Sequence, residues 1–517
     1  MGLLAVYIEG YTSLKPSEKK EVLKDTLMLK NPIGGLFDIL VDEISDKPIK
    51  RQAINLLCDI AQKPTYFKTI FRTFTPDYAG DILSCDDPKI RKAAARLCGI
   101  ANQKKFNAPL IKAIEMEKTM YVLDSLILAL GYTDYSKRSL DFLKAYTPQS
   151  TEKKHLDSET LAIKKAISSL TPVQKIESVA LFNNPVLLTY CGELADALSS
   201  EMDDYSLTYA QTGLLKNTLV VKPKNYADVF GLRCFFEALI FVGEYQDRSD
   251  SDIAAALIKK TSKLFDLSSF SFRLDVQYLK PQDKKDKIAS MVGLIESDPR
   301  FKSSTSNYQF EIRLLYKKNS MVALIKIPSM DDRFSYRKNT IPASIHPVIA
   351  ASVVRTLKPY LKEDARVLDP FVGTGTLLYE RDMMLPCEEL IGVDIKKETV
   401  VLAKDNFLNL DVPISFLNAN ILNSNLNQTF DEIICNMPFG RRVANHEKNE
   451  KLYIGFVIML DTLLEAGGYA FLYTNEKALL KQELDSQENL VVLEEIIIEA
   501  GGLYPSLFVV RKSDAAV

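Results

Sequence analysis

Two hydrophobic periods divide this chain. Toward the N-terminus apolar residues recur three and four positions apart, as on one face of a helix, and toward the C-terminus they alternate or form short blocks, as in strands. The helical part also repeats itself. Pro48-Ile-Lys-Arg-Gln-Ala-Ile-Asn-Leu-Leu-Cys-Asp-Ile-Ala61 and Pro88-Lys-Ile-Arg-Lys-Ala-Ala-Ala-Arg-Leu-Cys-Gly-Ile-Ala101 share Pro, Arg, Ala, Leu, Cys, Ile and Ala at an offset of 40. A looser third copy ends at Ala129-Leu-Gly131. Proline opens each copy, where a helix has no use for its missing N–H.

A helical unit of this length resembles HEAT repeats, whose hairpins stack into a curved solenoid. The resemblance covers roughly residues 15–170. Between 172 and 250 helical patterns predominate, as in Tyr226-Ala-Asp-Val-Phe-Gly-Leu-Arg-Cys-Phe-Phe-Glu-Ala-Leu-Ile240. Phe270–Val276, Tyr308–Tyr316 and Met321–Ile327 then alternate like strands around a helical Gln282–Ile295, which predicts a small α+β module. From about 342 onward, strands are expected at 365–369, 390–394, 413–417, 431–435 and 468–474 with helices between, the signature of a parallel α/β sheet. Leu490–Glu499 and Tyr504–Val510 flank Gly501-Gly502 and predict an antiparallel hairpin at the sheet edge.

The expected organisation is multidomain α plus α/β. It comprises a helical repeat domain (1–171), a helical connector (172–250), an α+β module with an RNA-binding and linker role (251–341), and a Rossmann-like sheet domain (342–517).

Composition narrows the class. Hydrophobic residues make up 47% and charged residues 26%, as in an ordinary globular protein. A net charge of -2 supplies no overall field for nucleic acid, so any such site must be a local patch. Seven cysteines without a C-x-x-C pair argue for reduced thiols, and three separated histidines argue against a metal site. The opening Met-Gly-Leu-Leu-Ala-Val has no cationic lead, and no apolar run approaches the roughly 20 residues of a membrane span. The expectation is a cytoplasmic protein that uses neither membrane nor metal.

The candidate chemistry lies in the sheet domain. Asp369-Pro370-Phe371-Val-Gly373-Thr374-Gly375-Thr376 joins a short strand to a helix, and its glycines let the backbone approach a ligand. Asp394, 19 residues after Gly375, ends the next strand and is placed for ribose hydroxyls, with Ile395 beside it. The fourth strand ends in Asn436-Met437-Pro438-Phe439. The Asn436 carboxamide oxygen and the next backbone carbonyl form two acceptors pointing the same way, Pro438 stiffens the turn, and Phe439 offers a flat face. That set suits an exocyclic ring amine. Two acceptors localise its lone pair for in-line attack on a methyl group, by positioning and electrostatics alone. Asp332-Arg333-Phe-Ser-Tyr336-Arg337-Lys338 combines three cations with two aromatics and suits phosphate and base contacts, the alternative being a solvated linker.

In that order, D-P-F-x-G-x-G-T, G-x-D and N-x-P-F-G resemble the amino-methyltransferases that use S-adenosylmethionine. The Arg-Phe-Ser-Tyr-Arg…Pro-Ala-Ser…His-Pro lead-in and Gly440-Arg441-Arg442…Leu452-Tyr453 resemble the THUMP-associated RNA guanine-N2 methyltransferases, which act on tRNA or large-subunit rRNA. The resemblance covers roughly 305–517. It implies that Asp369, Pro370, Phe371, Gly373, Thr374, Gly375 and Thr376 cradle the methionine part of the cofactor and that Asp394 and Ile395 lie at the ribose. Asn436, Pro438 and Phe439 would hold the target base, and Arg333, Tyr336, Arg337, Arg441 and Arg442 the RNA. The chain departs from the family pattern twice: Asn420 stands where an acid usually contacts the adenine amine, and Met437 replaces a proline. The helical repeats lie outside the usual family and are expected to bind a protein partner. N6-adenine methylation of DNA or RNA, glutamine-amide methylation of a protein, and a non-catalytic repeat scaffold remain as alternatives. A dehydrogenase is disfavoured, because Asn-Met-Pro-Phe has no role in hydride transfer.

Overall fold

The computed structural model describes residues 2–29, 31–42, 45–305, 307–424, 426–438 and 443–514. It divides into two compact units, residues 1–174 with 304–307, and residues 175–303 with 308–517.

The described secondary structure of the first unit is helical. Most apolar positions shared at the offset of 40 pack in the core. Ala53, Leu57, Cys58 and Ala61 are buried, as are Ala93, Leu97, Cys98 and Ala101. Asp46 and Asp87 cap the two helices, Lys47–Ala61 and Pro88–Ala101, by accepting backbone N–H bonds in the first turn. The matching arginines also act alike: Arg51 pairs with Asp87, and Arg91 with Glu117 just before helix Met120–Gly131. Helix Lys47–Ala61 packs on Pro88–Ala101, which packs on Met120–Gly131, which packs on Lys153–Leu170.

In the second unit, residues 172–250 depart from the helical reading. They contribute four strands to an eight-stranded sheet ordered 209–211, 218–221, 186–189, 237–245, 321–326, 310–316, 270–277 and 301–303. Tyr226–Gly231 is a 3₁₀ turn and Glu237–Tyr245 a strand. The misreading has a physical cause. Ala238 and Ile240 enter one core and Leu239 another, so this strand is covered on both faces and lacks the alternation that separates strand from helix. Phe270–Gln277 keeps its alternation, and Pro281–Ile295 forms the expected helix.

The C-terminal sheet is built from β1 (Ala365–Asp369), β2 (Cys387–Asp394), β3 (Ile414–Asn418), β4 (Phe430–Asn436), β5 (Leu464–Thr474), β6 (Leu490–Ile497) and β7 (Ser506–Lys512). Its order is 3-2-1-4-5-7-6. β1 to β5 run parallel, β7 is antiparallel to β5, and β6 is the antiparallel edge strand. Both faces are covered: Val367 and Leu390 enter one core, Leu368 and Ile391 the other. This is why these strands read as apolar blocks. The β6–β7 connection uses Gly501 and Gly502, both at positive φ (60° and 81°), as a tight turn requires. β1 pairs with β4 through Leu368 and Ile433, which brings the ends of both strands, Asp369 and Asn436, to one edge where the chain order reverses. All seven cysteines are free, and no helix among the described residues is long and apolar enough to cross a membrane.

Candidate active site

Beyond β1 the chain turns through Pro370–Gly375 into helix Thr376–Met384. Gly375 has φ +86°, and a Cβ there would stand 2.4 Å from the Phe407 ring, so both conformation and packing demand glycine. Gly373 has φ +54°, and a Cβ there would meet nothing nearer than Ile341 at 3.9 Å, so this backbone faces open space. The Val372 N–H donates to the Val393 carbonyl and folds the turn against β2. Asp369 is buried and accepts the Phe371 N–H at 2.9 Å. Burial pushes its carboxyl well above the usual range, and the neighbouring Asp394 charge adds to this.

Asp394 is half-buried at the end of β2, and burial raises its carboxyl too. It accepts the Lys396 N–H at 2.8 Å, and the Lys396 and Gly373 N–H groups partly offset that rise, so the carboxylate faces the glycine turn. Ile395 beside it is 66% exposed, a bare apolar side chain next to the carboxylate. Asn418 on β3 holds the Asp394 and Ile395 carbonyls at 3.0 Å each. Asn420 accepts the Leu422 N–H at 3.2 Å and caps the turn that follows β3.

At the end of β4, Asn436 Nδ2 donates to the Ala343 carbonyl at 3.1 Å. Its Oδ1 is shielded from solvent and has no hydrogen-bond partner among the described residues. Met437 is fixed by its N–H on the Tyr473 carbonyl at 2.9 Å. The Pro438 carbonyl accepts the Tyr453 hydroxyl at 3.0 Å, and that hydroxyl is also 2.6 Å from Thr474 Oγ1. Phe439, Arg441 and Arg442 lie outside the described residues.

Two residues expected to meet RNA are placed otherwise. Arg333 is only 7% exposed. Its guanidinium forks onto Asp331 at 2.8 Å, donates to the Phe235 carbonyl at 2.9 Å, and lies 3.5 Å over the Phe235 ring. Tyr336 is buried with its hydroxyl on Glu380 at 2.7 Å and its ring stacked on Tyr379 at 3.9 Å, and Arg233 forks onto the same Glu380 at 2.7 and 2.8 Å. Arg333 pairs with an acid only two residues away, and the Tyr336 hydroxyl bonds an acid 44 residues away, so a count of local cations does not reveal that both side chains are enclosed. Arg337 is half-buried and donates to Thr376 Oγ1 and the Ile345 carbonyl, both at 3.2 Å. The sequence reading also missed the Ala343 carbonyl, since any residue supplies one. Tyr453 was noted only as part of a pattern, without its role under Pro438.

Residues 335–505 match the family model described as UPF0020: RMKL-like, methyltransferase domain. Over 182 residues the chain is 31% identical to a tRNA (guanine(6)-N2)-methyltransferase of Thermus thermophilus, spanning 34% of this chain and 52% of that protein. Over 240 residues it is 22% identical to tRNA (guanine(6)-N(2))-methyltransferase THUMP3 of Bos taurus, spanning 43% of this chain and 46% of that protein. The chain thus spans about half the length of these curated relatives. The crystal structure of TrmN from Thermus thermophilus shares the fold with a TM-score of 0.52 at 22% identity, covering 63% of this chain and 99% of that one. That likeness is longer than the matched domain alone. The C-terminal sheet is therefore a methyltransferase domain.

Proposed function

We propose that this chain transfers a methyl group from S-adenosylmethionine to the exocyclic N2 of a guanine in RNA, with tRNA or rRNA as the substrate class. The observation that carries the reading is Asn436 Oδ1, a solvent-shielded acceptor without a partner among the described residues, at the strand end beside the glycine turn. Leaving such an acceptor unpaired costs about 1–3 kcal/mol, so its persistence fits a donor that arrives with the substrate. The relatives are named for guanine-N2 methylation of tRNA, which supports a ring amine as that donor.

The cofactor fits the residues present. The open space over the Gly373 backbone and the neighbouring Asp394 carboxylate suit the methionine end and the ribose hydroxyls of one adenosine-bearing ligand. Asp369 supports the turn from beneath through the Phe371 N–H, and Asn420 is the polar side chain assigned to the adenine. When bound, S-adenosylmethionine supplies an electrophilic methyl group. The protein's own task is to hold the amine. Asn436 Oδ1 and the Met437 carbonyl accept hydrogen bonds from its two N–H groups and gather the delocalised lone pair on nitrogen, which sheds one proton as the methyl is transferred, while Pro438, fixed by Tyr453, keeps both acceptors in register. Phe439 is assigned to stack on the base, and Arg441 and Arg442 to its phosphates. A protein partner is assigned to the helical unit.

Nucleoside mass spectrometry of RNA and DNA from cells lacking the gene tests the reading. Loss of N2-methylguanosine is expected. Loss of N6-methyladenine in its place, or no loss at all, overturns it.

A further inference from the structure

Asn436 serves the proposed amine site only when its amide is held the right way round, and the group that holds it belongs to one short segment, Ile341–His346. Three tethers fix that segment. The Ala343 carbonyl accepts from Asn436 Nδ2 at 3.1 Å. The Ser344 hydroxyl lies 3.1 Å from Thr374 Oγ1 and also receives the Ile341 N–H at 3.1 Å. The Ile345 carbonyl accepts from Arg337 Nη2, whose Nε donates to Thr376 Oγ1. The segment therefore rests on both threonines that flank Gly375. At its far end His346 caps helix Pro347–Thr356 through Nδ1, which accepts the Val348 N–H at 3.3 Å.

We infer that Arg337 and Ser344 are positioning residues that clamp this strap onto the glycine turn and so set the orientation of the Asn436 amide. The inference rests on the amine-site reading above. Arg337 is suited to this role rather than to RNA. Both of its hydrogen bonds go to uncharged protein acceptors, one 39 and one 8 residues away in sequence. A planar fork reaches two such points at once, which neither an ammonium group nor a carboxamide reproduces. Ser344 makes the same connection with a single oxygen, directly to the turn. The strap thus ties the surface assigned to the cofactor to the acceptor assigned to the amine, so that the two are registered to each other rather than to separate parts of the fold.

The test uses full-length wild-type protein, Arg337→Gln, Ser344→Ala, Asn436→Ala and the two doubles with Asn436→Ala. Each is assayed for methylation of RNA from a strain lacking the gene and for S-adenosylhomocysteine affinity, with circular dichroism to confirm folding. A small misplacement of reacting groups lowers kcat by about tenfold or more, so Arg337→Gln should lose at least that and Ser344→Ala a few-fold. RNA KM, its salt dependence and cofactor affinity should not move. Added to Asn436→Ala, either change should cause no further loss, because all three act through one amide. Unchanged kcat in both singles, a raised RNA KM with a shallower salt slope, weakened cofactor affinity, or additive losses in the doubles would each overturn the inference. If Arg337→Gln does not fold, Ser344→Ala carries the comparison. Wild-type protein that binds S-adenosylhomocysteine but methylates no RNA is a separate result that removes the amine-site reading and this inference with it.

Discussion

Asn436 and Ala343 stand 93 residues apart in the chain and share one hydrogen bond, from the carboxamide nitrogen to the backbone carbonyl at 3.1 Å. Because the nitrogen is engaged, the oxygen points the other way, and it is this oxygen that lacks a partner among the described residues.

Asp394 is assigned to the cofactor, and its contact is specific. Asp394→Ala should weaken S-adenosylhomocysteine binding by about 1.5–3 kcal/mol, the range for hydrogen bonds to a charged group. Calorimetric titration measures this, and RNA affinity should stay unchanged. Undiminished cofactor affinity would remove the residue from the site.

Asp369 makes a pH-dependent contribution to stability. Its carboxyl is held well above the usual range, chiefly by burial, so the folded state retains a proton that the unfolded state has released. The stabilisation is therefore complete below the ordinary carboxylate range and is lost as pH rises toward the raised folded value. Asp369→Asn removes this titration, so its stability relative to wild type should increase with pH across that window. Denaturant melts of the two proteins at a series of pH values measure the difference, and a difference independent of pH would contradict it.

Arg381 and Glu432 form a two-point ion pair at 2.6 and 2.8 Å with both side chains almost wholly buried, and Glu432 also receives the Lys362 N–H at 2.7 Å. Removing one partner strands a buried charge. Glu432→Ala should cost about 3–5 kcal/mol of stability in urea melts. A cost below 1 kcal/mol would show that water enters beside the arginine.

Arg333, enclosed by Asp331 and Phe235, should behave as a structural residue. Arg333→Gln is expected to lower the melting temperature and to leave the salt dependence of RNA binding as it was. A salt slope reduced by about one would return Arg333 to the phosphate contacts.

The glycine turn, Asp394 and Asn436-Met-Pro were readable because each imposes a local demand: positive φ at Gly373 and Gly375, a carboxylate at a strand end, a carboxamide before a stiff turn. β1 was readable to the residue, and β2 to β5 to within a few, because parallel strands covered on both faces form bounded apolar blocks. The strand at 237–245 is covered on both faces as well, but it follows the turn Tyr226–Gly231 with no glycine or proline after Gly231 to separate them, and the two merged into one apparent helix. Arg333 and Tyr336 were misplaced for a different reason. Asp331 lies two residues from Arg333, but the Phe235 carbonyl and ring that enclose its guanidinium, and the Glu380 that holds Tyr336, are 98 and 44 residues away, outside any local window.

The most direct measurement is methylation of RNA from a strain lacking the gene, by purified wild-type protein and by Asn436→Ala, with labelled S-adenosylmethionine and nucleoside analysis of the product. If Asn436 holds the amine, wild type yields N2-methylguanosine and Asn436→Ala loses about 10²–10³ in kcat, as when a preorganised hydrogen-bonding group is removed from an active site, with S-adenosylhomocysteine affinity unchanged; that is the expected result. Turnover by Asn436→Ala at the wild-type rate would contradict it.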